Sequence, residues 1–199
     1  MKTCAVIVAA GRSSRMGAFK PLLPVGSKGE PALLYLINTL HSVGIDHIFV
    51  VTGAKANLLE KACENMSSVT FVHNPDYATT EMFHSACLGL RALPKNCERI
   101  LFTLVDIPLV KEKTVKKLLS RSGQLVYPSY KYRRGHPFVF NANLIPYILN
   151  HDGSGGLRRV FNQMNDIAEY VVVDDPFILM DIDTPEDYIN LLKTYQNHT

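Results

Sequence analysis

Three segments of the chain carry residues whose types and spacing suit phosphate chemistry. The first is Ala10-Gly11-Arg12-Ser13-Ser14-Arg15-Met16-Gly17-Ala18-Phe19-Lys20-Pro21-Leu22-Leu23, directly after an apolar run. Two glycines, two serines, two arginines and a lysine fall within ten residues there. In such a loop backbone N–H groups can face phosphate oxygens while the cations neutralise charge. It is not a Walker loop, because the Gly-Lys-Ser/Thr ending is missing, and not GxGxxG, because Ser13 stands where the second glycine belongs. The same composition also suits a solvated surface loop. The second segment is Leu104-Val105-Asp106-Ile107-Pro108. An aspartate at the carboxyl end of a buried strand can hold Mg²⁺ against phosphate oxygens; starting a turn or capping a helix is its commoner duty. The third is Met180-Asp181-Ile182-Asp183-Thr184-Pro185-Glu186-Asp187-Tyr188. On a strand Asp181 and Asp183 share one face. Asp183 could complete a metal site with Asp106, or it could only help start the next helix, whose N-terminus Glu186 and Asp187 favour.

These segments need a scaffold, and the periodicity supplies one. Residues 3–9, 47–51, 69–72 and 100–105 are short apolar runs rich in β-branched side chains, as strands buried on both faces should be. Helical spacing lies between them. Leu33, Leu34, Ile37, Leu40 and Val43 precede a stop at Gly44; Leu58, Leu59 and Ala62 follow; then come residues 82–92, ending near Pro94, and residues 115–119. Alternating β and α units imply an α/β fold with a mostly parallel sheet and helices on both faces. Ligands bind such sheets beyond the carboxyl ends of the strands, where the basic loop and Asp106 stand. In the second half, residues 125–127 and 137–140 read as strands around Lys131-Tyr132-Arg133-Arg134. A helix is expected over residues 142–149 and a flexible loop over 153–156. Residues 168–173 and 178–182 flank a turn at Asp174-Asp175-Pro176. The last helix starts at Pro185, with Thr184 as its cap and Asp187 at its third position. With no repeat or linker, residues 1–199 are expected to form a single domain.

Composition narrows the function classes. Of 199 residues, 47% are hydrophobic and 20% charged, which argues against disordered and fibrous architectures. A formal net charge of +3 suits a phosphate-bearing ligand but is too weak to argue for nucleic acid. Cys4, Cys63, Cys87 and Cys97 form no CxxC pair and no zinc spacing, so buried free thiols in a reducing cytoplasm are expected. No apolar run approaches the roughly 18 residues of a membrane span. The run Ala5-Val6-Ile7-Val8-Ala9-Ala10 follows a single charge, Lys2, and precedes Arg12 and Arg15, which fits a buried strand better than a signal segment. A soluble, cytoplasmic protein is expected.

Taken in order, the motifs resemble the nucleotidyltransferase superfamily, in particular its MobA-like branch, and within it the molybdenum cofactor cytidylyltransferases and their relatives. The residues that carry the likeness are Ala9-Ala10-Gly11-Arg12-Ser13-Ser14-Arg15-Met16-Gly17 with Lys20, Asn74-Pro75, Met82 with Ser85, Asp106-Ile107-Pro108, Arg134-Gly135-His136-Pro137, and Asp181 through Tyr188. The resemblance implies a Rossmann-like three-layer αβα fold of the nucleotide-diphospho-sugar transferase type. It also implies a nucleotide-binding part at about residues 1–110 and an acceptor-binding part at about residues 125–183. The implied reaction joins an NMP from an NTP to a phosphorylated acceptor, here molybdopterin or molybdenum cofactor, and releases pyrophosphate. A molybdenum enzyme would be the client for the product.

The resemblance assigns roles residue by residue. Arg15, Lys20 and Asp106 would be catalytic, the cations lying on the triphosphate and Asp106 holding Mg²⁺ with Asp183 as second ligand. Ala9, Ala10, Gly11, Arg12, Ser13, Ser14, Arg15, Lys20, Asn74 and Ser85 would bind the nucleotide. Arg134, Gly135 and His136 would face the acceptor, though a histidine before a proline is equally often structural; residues 153–156 with Arg158 could close over the acceptor or form a mobile turn. No general base is needed, because the attacking phosphate is already ionised. Ala-Ala-Gly at positions 9–11 points to CTP, since guanylyl-transferring relatives more often show Ala-Gly-Gly. One departure stands out: Glu81 occupies the place before Met82 where the family usually carries glycine. A carboxylate there is compatible with a triphosphate only if it points to solvent or reaches the metal. Rival readings keep the chemistry with a sugar, polyol or choline phosphate as acceptor, or keep the binding without turnover, as an accessory protein for a molybdenum enzyme. A structural module on the same fold is the third.

Overall fold

The computed structural model describes residues 1–198. The first strand, β1 (Thr3–Ala9), is at the middle of the sheet and is buried along almost its whole length. Its alternate residues serve two cores. Ala5, Ile7 and Ala9 face one cluster, while Cys4, Val6 and Val8 face the other. A continuous apolar run therefore forms a strand rather than an amphipathic one, because neither face meets water.

After β1 the chain forms a short hairpin, β2 (Pro24–Val25) and β3 (Glu30–Pro31), that the apolar pattern does not announce. The helix α1 (Ala32–Ser42) stops at Gly44, whose φ of +85° suits a residue without a Cβ. Then come β4 (Ile48–Thr52), α2 (Ala56–Ala62), β5 (Val69–His73), α3 (Met82–Arg91), β6 (Arg99–Leu104) and α4 (Glu112–Leu119). The chain continues through β7 (Leu125–Tyr130), β8 (Arg133–Arg134) and β9 (Phe138–Asn141), then α5 (Ile145–Asn150), α6 (Gly156–Gln163), β10 (Ala168–Val172) and α7 (Pro185–Gln196).

The large sheet runs β10-β7-β9-β6-β1-β4-β5, with β8 paired to β7. The pairs β1–β4, β1–β6, β4–β5 and β7–β10 are parallel; β9 runs against its neighbours β6 and β7, and the short β8 runs against β7. Side chains from α1, α2 and α4 join one core, while α3, α5 and α6 supply Ala86, Leu90, Ile148, Val160 and Phe161 to the other. The result is three layers with a mostly parallel sheet in the middle. On α3, a Cβ at Gly89 would stand 2.7 Å from Val6, so this glycine lets the helix lie close against β1.

Three second-half expectations are corrected. The helix read over residues 142–149 divides into a 3-10 turn at Ala142–Leu144 and then α5, because Pro146 is tolerated only in the first turn of a helix. The glycine-rich stretch at 153–156 is not simply a flexible loop. Its last residue opens α6, whose Leu157, Val160 and Phe161 have helical spacing. Residues 178–182 are not a strand. A 3-10 turn, Pro176–Leu179, leads into an irregular segment whose Ile182 N–H donates to the Asp106 carbonyl at 2.9 Å.

The last helix starts as expected. The Thr184 hydroxyl accepts from the Asp187 N–H at 3.2 Å and the Asp187 carboxylate accepts from the Thr184 N–H at 2.8 Å, closing a capping box. All four cysteines are free and buried. Among the described residues no helix is long and apolar enough to cross a membrane.

Candidate active site

Parallel strands point their carboxyl ends at one rim, and the candidate residues collect there. Beyond β1 the loop turns through Ser13 at φ +54° and Gly17 at φ +71°. The Ser13 hydroxyl accepts from the Lys20 N–H at 3.2 Å, which closes the loop and aims Lys20 inward. Its ammonium donates to Asp183 Oδ1 at 2.6 Å and lies 3.8 Å from Asp106 Oδ2. Arg15 reaches the other oxygen of Asp183 at 3.0 Å from a largely exposed position. Two cations and two carboxylates from three distant segments thus converge. The exposed Arg15 pair is worth little and can be exchanged for a phosphate with small loss, whereas Lys20 is mostly buried.

Asp106 is the unusual member. One carboxylate oxygen is buried without a hydrogen-bond partner. Burial pushes its pKa up to about 6, and Asp181 and Asp183 nearby add to the rise while Lys20 opposes it. A buried oxygen with no donor facing it suits a cation ligand. Among the described residues no three His, Cys, Asp or Glu side chains form a cage that could hold a metal alone. Asp106 and Asp183 therefore fit a divalent ion that takes its remaining ligands from phosphate oxygens and water, the usual arrangement for Mg²⁺.

Ala9, Ala10, Gly11, Ser13, Lys20, Ser85 and Asp106 line one cleft. Arg12 and Ser14 do not. They border a separate concavity beside it, together with Lys55. Asn74 is fully buried behind the wall, where its amide donates to Ser85 Oγ at 2.9 Å and Thr80 Oγ1 at 3.2 Å and accepts from the Asp76 N–H at 3.0 Å. It orients Ser85 and does not itself line the cleft. Glu81 is exposed at the cap of α3 and approaches the start of α6, with Oε2 3.9 Å from where a Cβ on Gly156 would stand. It lines a separate surface depression, with His151 and Asp152, and not the cleft that holds Lys20.

Gly11 separates ligand constraint from fold constraint. A Cβ there meets no protein atom within 4 Å, and its φ lies outside the positive range. Gly11→Ala is expected to leave the melting temperature unchanged or slightly raised. Nucleotide affinity is expected to fall about tenfold or more if a base or ribose packs on this backbone, and titration of the variant with CTP checks it. Unchanged affinity would show that nothing packs there.

A second cleft of about 480 Å³ adjoins the first, sharing Met82 and Leu104 with it. Arg134, Gly135, His136 and Arg158 all line it. Gly135 is required by close approach, since a Cβ would stand 2.2 Å from the Ile178 carbonyl oxygen. That same carbonyl accepts from the His136 N–H at 2.9 Å. Burial, with the Arg134 charge beside it, pushes the His136 pKa down to about 4, so the imidazole is neutral at pH 7. It can hydrogen-bond a ligand but adds no charge. The Arg134 guanidinium donates to Asn162 on α6 and lies 5.1 Å from the Tyr127 ring centroid.

Sequence reasoning missed Tyr77 and Thr80 in the first cleft, Lys55 beside it, and Tyr127, Phe138 and Phe161 in the second. Lys55 follows the end of β4, so the rule that reads residues after each strand would have found it. Tyr127 lies within a strand and carries no such signal.

Comparison with known proteins identifies the family. The model of the MobA-like NTP transferase domain matches residues 5–167. The molybdenum cofactor cytidylyltransferase of Escherichia coli (strain K12) is 28% identical over 191 residues, covering 96% of this chain and 95% of that protein. The nicotine blue oxidoreductase of Paenarthrobacter nicotinovorans is 29% identical over 198 residues, with 94% and 95% covered. The solved structure of a nucleotidyl transferase from Methanothermobacter superposes with a TM-score of 0.82 at 25% identity, covering 99% of both chains. The family match spans most of the chain, and the chain accordingly belongs to the MobA-like NTP transferase domain family, as an enzyme of the nucleotidyltransferase class.

Proposed function

We propose that this enzyme transfers the NMP of an NTP, with CTP favoured, to the phosphate of molybdopterin or molybdenum cofactor and releases pyrophosphate. The observation that carries the reading is the adjacency of two clefts. One holds Lys20 and Asp106 with Arg15 and Asp183 at its edge, and the other is lined by arginines and joins it at Met82 and Leu104. Residues up to about 110 would bind the nucleotide, and residues from about 125 to 183 would complete the acceptor side.

In the proposed step an acceptor phosphate oxygen attacks the α-phosphorus. The new P–O bond forms as the bond to the pyrophosphate bridging oxygen breaks, and both electrons of that bond leave with pyrophosphate. Arg15 and Lys20 neutralise the charge that gathers on the leaving group, and this positioning and neutralisation is most of what phosphoryl chemistry asks of a protein. Asp106 and Asp183 would hold Mg²⁺, which when bound supplies Lewis-acid charge neutralisation on phosphate oxygens. Ala10 and Gly11 leave room for the base and ribose, and Ser85 is held at the wall by Asn74. Arg134, His136 and Arg158 would grip the acceptor.

The oxidoreductase name of one relative supports a second reading, a redox reaction. Against it, Ser13 breaks the GxGxxG pattern of dinucleotide loops. The deciding experiment is pyrophosphate release with Mg²⁺ and CTP, GTP, ATP or UTP, each with and without molybdenum cofactor. Release that needs both CTP and cofactor supports the proposal. Release with a sugar, polyol or choline phosphate keeps the chemistry and discards the pathway. Silence from folded protein that still binds a nucleotide favours the accessory role, and consumption of reduced nicotinamide cofactor favours the second reading.

A further inference from the structure

One polar atom of the second cleft has nothing to bind. Tyr127, on β7, is 3% exposed, and its hydroxyl is buried without a hydrogen-bond partner. Buried tyrosines nearly always pair their hydroxyl, so an orphan on the wall of a cleft asks for a partner from outside the chain. The ring is held in place by its neighbours. It stacks on Tyr170 at 5.8 Å and 25°, packs against Phe138 at 5.0 Å, and lies 5.1 Å from the Arg134 guanidinium. The ring therefore cannot swing out to bulk solvent, and a partner for its hydroxyl has to come from the cleft that it lines.

The surroundings decide which partner it can take. Burial raises the phenol's pKa above its ordinary value, so the group is a neutral O–H. Arg133, Arg134 and Arg158 on the same cleft are donors only. Phe138 and Phe161, whose rings meet edge to face with centroids 4.7 Å apart, add apolar aromatic surface. A wall rich in donors and aromatic side chains complements a ligand that is anionic, partly apolar and rich in acceptor atoms.

We propose that Tyr127 is a specificity-determining residue, whose hydroxyl donates a hydrogen bond to a ring nitrogen or an oxygen on the body of the phosphorylated acceptor. The inference rests on the nucleotidyl-transfer reading above and names the acceptor class for its second cleft. Acceptors whose body offers a lone pair are taken. Phosphocholine is discriminated against, because its trimethylammonium group offers none and three guanidiniums repel it.

Tyr127→Phe keeps the ring and deletes one oxygen. With molybdopterin as acceptor, the variant is expected to show an acceptor KM raised about tenfold, with kcat and the CTP KM little changed. Without ligands its melting temperature is expected at or above that of the wild type, since an unpaired buried hydroxyl has been removed. A fall in melting temperature would show that the hydroxyl already has a partner, and would overturn the proposal. Wild-type turnover of molybdopterin with an unchanged acceptor KM in the variant overturns the role of Tyr127 alone. Wild-type turnover of a polyol phosphate but not of molybdopterin, with the same KM rise in the variant, overturns the molybdopterin reading and leaves Tyr127 in place. Turnover of phosphocholine by the wild type overturns both.

Discussion

Asp106→Asn is expected to abolish nucleotidyl transfer while making the protein more stable. The loss follows from the proposed role. Removing the charge of a phosphate-site metal ligand typically lowers kcat by about a thousandfold or more, since charge neutralisation carries most of phosphoryl catalysis. The gain follows from the carboxylate's surroundings. Its pKa rises from an ordinary 3.8 to about 6 in the fold, with burial as the main cause. The native state therefore holds this proton more tightly than the unfolded chain does. Stability from this group is greatest below the unfolded value near 4, and it is lost as pH rises through about 6. At pH 7 the ionised group opposes folding by about 3 kcal/mol relative to its protonated form, since a tenfold change in proton affinity corresponds to roughly 1.4 kcal/mol.

Asparagine imitates the protonated form. Lys20 loses its 3.8 Å neighbour but keeps the 2.6 Å bond to Asp183, so most of the gain survives. A net rise of about 1–2 kcal/mol, a few degrees in melting temperature, is expected. Calorimetry of the variant beside a pyrophosphate assay tests both halves. Retained activity would remove Asp106 from the metal site, and a lower melting temperature would make it structural. In the metal-free wild type Asp106 takes up its proton as pH falls through about 6, so Mg²⁺ affinity should weaken over that range.

Asp175→Ala is expected to produce the largest loss of stability from a single side chain away from the site, about 3–5 kcal/mol. Asp175 is fully buried. One oxygen accepts from the Lys111 N–H at 2.9 Å and the Thr114 hydroxyl at 2.7 Å, and the other accepts from the Phe177 N–H at 3.1 Å. Lys111 is the cap of α4, and its own side chain makes no capping bond. A carboxylate 64 residues further along the chain therefore caps that helix, favoured there by the positive end of the helix dipole. Alanine would leave three donors unpaired, those of Thr114 and Phe177 in buried positions.

The effect should reach the site as well. The turn that Asp175 starts presents the Ile178 carbonyl to His136 and leads to Ile182, which bonds Asp106. Urea denaturation should show a lower midpoint with an unchanged slope, and Asp175→Asn, which keeps one acceptor oxygen, should fall between. A midpoint equal to the wild type would mean that solvent replaces the cap.

The features that could be read along the chain are those set by near neighbours. Apolar runs buried on both faces gave the central strands. Gly44 ended α1, and Thr184 with Asp187 opened α7. The basic loop, Asp106 and Asp183 were identified separately as candidates, and the fold brings them together at the carboxyl rim. Other features depended on partners remote in sequence. Asn74 has the residue type of a ligand contact but is enclosed, so that its amide orients Ser85. Composition marks a turn at Asp174-Asp175-Pro176, but nothing local shows that the Asp175 carboxylate accepts from the N–H of Lys111 at the start of α4. Tyr127 sits in a strand, where nothing local distinguishes a packed phenol from one on a cleft wall.

The same division holds for the fold. An α/β scaffold with a mostly parallel sheet follows from alternating periods of hydrophobicity, because each element must bury its own apolar face. The reversed β9 between β6 and β7, the irregular path of residues 178–183 and the orphan oxygen of Asp106 do not follow from any local pattern. They are settled by which groups compete for the same donors, space and water once the layers have packed. That competition also sets the pKa of Asp106, and with it the chemistry the rim can perform.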